Sequence, residues 1–199
     1  VMIKPEGYSK EKMLEIEKKY SMQASEINQT RNEFVDQQTI IYVLSESFSD
    51  PSRIEGVTIS RNPIPNIQDI KSKVTSGLMK SDGYGGGTAN MEFQTLTGLP
   101  FYNISPTISV LYSDVAPKMQ PLISISDSFE PKNKEIIHFE SKINYSRDVI
   151  YNRLDFDKFV SIDDKKEYNV GYQEIHVSDQ STYNAVLRDL NPKQSQFFS

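Results

Sequence analysis

The chain has 199 residues, 37% of them hydrophobic and 25% charged, with a formal charge of −5 and no cysteine. That length and apolar content suit one core rather than two large domains, and an acidic balance with scattered lysines disfavours nucleic acid as a partner, because phosphate binding needs clustered Lys and Arg. The missing cysteine excludes thiolate nucleophiles, cysteine metal sites and disulfides, and no apolar run approaches the roughly 20 residues of a membrane helix.

Taken in chain order, "SKEKMLEIEKKYSMQASEIN" from Ser9 to Asn28 opens on an N-cap serine and repeats apolar residues at Met13, Ile16, Tyr20 and Ala24, a helical period. "QTIIYVLSESFSD" holds a continuous apolar run, Ile40 to Leu44, of the kind a central strand shows when helices cover both its faces. Glu46 follows its carboxyl end, where open α/β sheets bind ligands. "RNPIPNIQDIKSKV" predicts a loop, a short helix from about Asn66 and a strand near Val74 to Met79.

Four of the nine glycines then fall between Gly83 and Gly87. A glycine cluster costs ordering entropy, so it marks a sharp turn or a close approach of the backbone. "TANMEFQTLTG" follows with Met91, Phe93 and Leu96 on helical spacing, Thr88 at the start and Gly98 as a C-terminal stop. Thr88 is therefore either an N-cap or a nucleophile whose hydroxyl needs a base or a cation to ionise it. Glu46 is either a solvated turn residue or a hard oxygen ligand for such a cation. "GYGGGT" lacks the lysine of a P-loop, which sets nucleotide binding aside.

Downstream, "VAPKMQPLISISDSF" predicts a helix after Pro121, and "KEIIHFE" a short strand ending near His138. "SRDVIYNRLDF" predicts a helix with Val149, Ile150 and Leu154 inward, "SDQSTYNAVLRDL" another helix, and "QSQFFS" a last strand. The alternation predicts an α/β domain around a mostly parallel sheet flanked by helices. His138 and His176 are, on pattern alone, ordinary imidazoles.

Together "SESFSD", "GGGTANMEFQTLTGLP" and "YSRDVIYNRLDFDKF" resemble, in order and spacing, the extracellular catalytic domain of lipoteichoic acid synthases and related phosphoglycerol transferases of the alkaline phosphatase and sulfatase superfamily. The resemblance covers about Thr39 to Ser199. It makes residues 1–38 a membrane-proximal helical lead-in and 39–199 the N-terminal part of a sulfatase-like catalytic domain, incomplete at its C-terminus.

The resemblance implies that Glu46 is a metal ligand, that Thr88 is both catalytic nucleophile and metal ligand, and that the ion is Mn²⁺ or Mg²⁺. It places His138, Tyr145 and Arg147 in the substrate pocket, with tyrosine where the synthases carry tryptophan. The further metal ligands of the family, an aspartate and a histidine in adjacent positions, have no counterpart in these residues, so the piece alone is expected to be inactive. The implied reaction moves glycerol phosphate from phosphatidylglycerol to a glycolipid or teichoic acid acceptor through a covalent threonine, outside the cell, with membrane helices upstream. A sulfatase would need a formylglycine that threonine cannot supply. The competing expectations are a phosphoethanolamine transferase or a phosphatase on the same fold, and an inactive exterior binding domain.

Overall fold

The computed structural model describes residues 4–31, 38–45, 48–79, 81–83 and 87–199. Four short strands, β1 (Thr39–Ile41), β2 (Lys134–Ile137), β3 (Lys158–Val160) and β6 (Gln196–Phe198), form a parallel sheet in the order β1-β6-β2-β3. A separate hairpin pairs β4 (Tyr172–Gln173) with β5 (His176–Val177). The expected mostly parallel α/β fold is present.

Side chains alternate across the strands, as the pleat requires. Ile136, Phe159 and Phe197 turn to a core built with α3 (Thr88–Thr97), α4 (Leu111–Asp114) and α5 (Arg147–Arg153), whereas Ile137, Val160 and Phe198 turn to a second core under α6 (Asp179–Asp189). Helices therefore cover both faces of the sheet. The larger core is rich in edge-to-face aromatic pairs: Phe197 meets Tyr42 at 5.2 Å and Phe156 at 5.9 Å, and Tyr151 meets Phe156 at 5.1 Å. Such pairs contribute about 0.5–1.5 kcal/mol each beyond the area they bury.

Local chemistry explains several helix ends. The Ser9 hydroxyl accepts the Lys12 amide at the start of α1 (Lys10–Asn28), and Ser178 caps α6 by accepting from Ser181. Gly98 ends α3 at φ 70°, its N–H donating to the Gln94 carbonyl, a left-handed stop that glycine takes without a Cβ clash. None of the residues of α1 is buried. No helix among the described residues is long and apolar enough to cross a membrane.

Several expectations are corrected. Among the described residues the run from Ile40 to Leu44 does not form a central strand: β1 is three residues long and pairs there with β6 alone, leaving Ile41, Val43 and Leu44 exposed. The buried centre belongs to β6, where Phe197 and Phe198 are almost wholly covered. The helix from Asn66 is α2 (Pro65–Lys73), but no strand follows it; Leu78 and Met79 are 75% and 81% exposed, with no partner strand among the described residues. After Pro121, Ser124 and Asp127 form a reciprocal capping box around one 3-10 turn, Ile125–Ser128, so local side-chain bonds replace the longer helix. Val149 is exposed, because α5 begins at Arg147 and turns Ile150 and Tyr151 inward.

Candidate functional site

The carboxyl ends of β1, β2 and β6 open on one cleft of about 500 Å³, the edge of a parallel sheet where ligands are expected. His138 stands just past β2, Ser199 just past β6, and Tyr42 to Ser45 past β1. α3 supplies Thr88, Met91 and Glu92, α5 supplies Arg147 and Tyr151, and α6 lends Asp179, Thr182 and Tyr183 to the opposite wall. A second depression of about 450 Å³, between Phe48 and Leu78, holds none of the expected site residues.

Thr88 is the first residue of α3 and is half-buried. It follows Gly87, whose φ of 83° is left-handed, a conformation that costs a side-chain-bearing residue about 1–2 kcal/mol. The turn therefore sets the direction from which Thr88 enters the cleft. Asn90 fastens the same turn: its amide donates to the Gly87 carbonyl, its Nδ2 donates to the Ser109 carbonyl at 2.8 Å, and its Oδ1 accepts the Leu111 amide at 2.8 Å. The helix start also carries the positive end of the α3 dipole, which favours an anionic oxygen or a phosphate.

Arg147 is 4% exposed. Its Nε donates to both oxygens of Glu92, at 3.0 and 3.2 Å, its Nη2 donates to Glu92 Oε1 at 2.5 Å, and its Nη1 donates to the Asn144 carbonyl. Burial works against the guanidinium charge, but the hydrogen bonds it donates to Glu92 and the charge of that carboxylate outweigh it and raise the pKa of Arg147 above the ordinary value. The Tyr151 hydroxyl donates to Glu92 Oε2 at 3.3 Å and accepts from the Tyr112 hydroxyl at 3.3 Å. Burial first, then the neighbouring negative charge, pushes both phenols up, so they stay protonated donors.

Tyr145 does not line the cleft; its ring centroid stands 5.1 Å from the Arg147 guanidinium carbon. Tyr145 and Ser146 both have left-handed backbones, φ 57° and 59°, in a turn closed by the Ser146 amide on the Ile143 carbonyl and the Asp148 amide on the Lys142 carbonyl. Strain of this kind persists only where the surroundings fix it.

Of the expected site residues, Thr88, His138 and Arg147 share the cleft, Tyr145 stacks beside it, and Glu46 lies outside the described residues. His176 sits in the exposed β4–β5 hairpin, away from the cleft lining. Glu92 and Tyr151 were not anticipated, although the spacing of Glu92 four residues after Thr88 puts both on one helical face and was visible in the sequence.

The described residues do not assemble a metal centre. No group of three or more His, Asp or Glu side chains among them is placed to hold an ion, and Thr88 brings a single hydroxyl where a hard cation of this type takes about six oxygens.

Known proteins share this fold. Residues 38–199 match the Sulfatase family. The solved Streptococcus pyogenes phosphoglycerol transferase GacH, in complex with sn-glycerol-1-phosphate, is 48% identical with a TM-score of 0.88, over 100% of this chain and 52% of its own. A putative cyclic beta-1,2-glucan modification protein of Rhizobium meliloti (strain 1021) is 29% identical over 165 residues, 80% of this chain and 24% of that protein. The chain thus spans about half, or less, of these relatives. With its parallel sheet, its glycine turn ahead of Thr88 and the family match over most of its length, the chain belongs to the Sulfatase family.

Proposed function

We propose that the intact protein is a phosphoglycerol transferase that moves glycerol phosphate from phosphatidylglycerol to a cell-surface acceptor, a glycolipid or teichoic acid, through a covalent intermediate on Thr88. The observation that carries this reading is that Thr88, at a helix N-terminus, faces the same sheet-edge cleft as His138 and Arg147, in a chain 48% identical to a phosphoglycerol transferase solved with sn-glycerol-1-phosphate.

In the first step Thr88 Oγ1 forms a bond to phosphorus while the bond from phosphorus to the diacylglycerol oxygen breaks. The threonine proton passes, in net terms, to the departing diacylglycerol. In the second step an acceptor hydroxyl attacks the same phosphorus, the Thr88 ester bond breaks, and the hydroxyl proton returns to Thr88. The N-terminal amides of α3 favour negative charge on the transferring oxygens, and Arg147 and His138 flank the phosphoryl group. Mn²⁺ or Mg²⁺ is proposed as the cofactor, with Glu46 and Thr88 among its ligands; no step above is routed through it. The matching setting is the outer face of the cell membrane, with α1 as the lead-in to the catalytic domain.

The test incubates the intact protein with headgroup-labelled phosphatidylglycerol and Mn²⁺, beside Thr88→Ala. The expected result is diacylglycerol release by the wild type only, with label recovered on the peptide that carries Thr88. Equal release by Thr88→Ala would remove the covalent threonine. Consumption of phosphatidylethanolamine instead would make the protein a phosphoethanolamine transferase, release of free glycerol phosphate without transfer would make it a phosphatase, and binding without turnover would make it an inactive exterior domain.

A further inference from the structure

We infer that Glu92 is a positioning residue that holds the Arg147 guanidinium by one edge and turns its other edge to the phosphoryl group on Thr88. This rests on the transferase reading above and goes beyond it, because it concerns a carboxylate that does not touch the reacting atoms. A guanidinium offers five N–H donors in a rigid plane. Glu92 takes the edge formed by Nε and one N–H of Nη2, and the Asn144 carbonyl takes one N–H of Nη1. Among the described residues one N–H on each of Nη1 and Nη2 is left over, both able to donate to an anion such as a phosphate.

Three further observations fix that orientation. Glu92 itself is held by the Tyr151 hydroxyl. The guanidinium lies against the Tyr145 ring. The backbone that delivers Arg147 leaves two successive left-handed residues, Tyr145 and Ser146, a turn maintained by what it holds in place. Because Glu92 follows Thr88 by one helical turn on α3, the nucleophile and the anchor of the arginine belong to one rigid element. A shift of α3 therefore moves both together and preserves their spacing.

Charge gives the inference its sharpest test. A carboxylate beside an anion site repels the anion, so if Glu92 were only a counter-charge, its removal would tighten anion binding. If it positions Arg147, its removal loosens the fork and weakens binding. The experiment titrates sn-glycerol-1-phosphate into the intact protein by calorimetry, for wild type, Arg147→Ala, Glu92→Gln, Glu92→Ala and the double variant Glu92→Ala with Arg147→Ala. Thermal unfolding is recorded for each.

The expected result is a loss of at least about tenfold in affinity for Arg147→Ala and a similar loss for Glu92→Ala. Glu92→Gln, which keeps one acceptor and the shape, should lie between. Stoichiometry should be unchanged, and the double variant should be no worse than Arg147→Ala, because residues acting through one another do not add. Unchanged or tighter binding by both Glu92 variants, with Arg147→Ala still weak, overturns the positioning role and leaves the transferase reading standing. A fall in stoichiometry at constant affinity shows a merely structural carboxylate and overturns it too. No effect of Arg147→Ala removes Arg147 from the substrate site, and the role of Glu92 falls with it.

Discussion

Asn90 and Leu111 are joined by a hydrogen bond of 2.8 Å from the Leu111 amide to Asn90 Oδ1, across the gap between α3 and α4. The same side chain donates to the Ser109 carbonyl, so one buried asparagine closes two backbone groups that α4 cannot satisfy itself. Asn90→Ala leaves both groups unpaired in a dry place, at a cost of about 2–4 kcal/mol. Urea unfolding should show a lower midpoint with an unchanged slope. Activity measured well below the new midpoint should also fall, since Thr88 lies two residues from the lost anchor.

Gly87 offers a separate handle on the same turn. At φ 83° a Cβ would add left-handed strain and would come 3.5 Å from Asn90 Nδ2, ordinary contact. Gly87→Ala should therefore destabilise through its backbone rather than by collision, by about 1–2 kcal/mol. Denaturant midpoints check the size. A loss much above this would show that the neighbouring atoms also resist.

A third prediction concerns pH. Glu135, buried on the α6 face of β2, is pushed up to about 7, first by burial and next by Asp189, while Lys158 opposes the shift at 3.1 Å. Asp189 is held below its usual range by Lys158, at 2.8 Å, and by the Tyr168 hydroxyl. For Glu135 the folded state binds the proton more tightly than the unfolded chain, so its contribution is complete below pH 4.5 and is lost as pH rises towards 7. Asp189 has the opposite sense: its contribution is present above pH 3.8 and is lost as pH falls. Stability should therefore peak in mildly acidic solution and decline by about 1–3 kcal/mol between pH 5 and 7.5. Glu135→Gln should flatten that decline in pH-dependent urea titrations, and an unchanged slope would assign it to other groups.

Tyr145 is expected to act on binding more than on fold. It is 42% exposed and stacks on Arg147, a contact worth about 0.5–1 kcal/mol at such a site. Tyr145→Ala should raise KM for phosphatidylglycerol severalfold with a small change in kcat. Tyr145→Trp, with a stronger face for the cation, should restore KM. An effect confined to kcat would place Tyr145 on the reacting atoms instead.

Much of this arrangement was legible in the residues, for identifiable reasons. The helix after Gly87 follows from a glycine turn, a helical apolar spacing and Gly98 as a stop, all local signals. β2 and β6 were legible because a pair of adjacent apolar residues, Ile136 and Ile137 in one and Phe197 and Phe198 in the other, stands out from a polar stretch. β3 was hidden, since "KFV" is three residues inside an acidic and basic stretch, and only its pairing with β2 makes it a strand. The opposite failure, a strand near Val74, came from β-forming residues that find no partner edge among the described residues. In the site, Thr88 was marked by its position after a glycine turn, whereas His138 and Arg147 were marked only by the resemblance to phosphoglycerol transferases. Glu92 carries no signal of its own, because the one carboxylate of an otherwise uncharged helix reads as solvated surface until its partner, 55 residues later in the chain, comes into contact.

The strand order has a kinetic consequence. β6 lies between β1 and β2 but is the last strand of the sheet in this chain, so Thr39 has to wait for Gln196 before either finds its neighbour. Early in synthesis β2, α5 and β3 can associate as a nearly local unit, whereas β1 remains an unpaired apolar ribbon. Contacts so distant along the chain slow folding and prolong exposure of sticky edges. Refolding should accordingly be slow for a domain of this size, and its losses should come from association between chains through the waiting edges of β1 and β2.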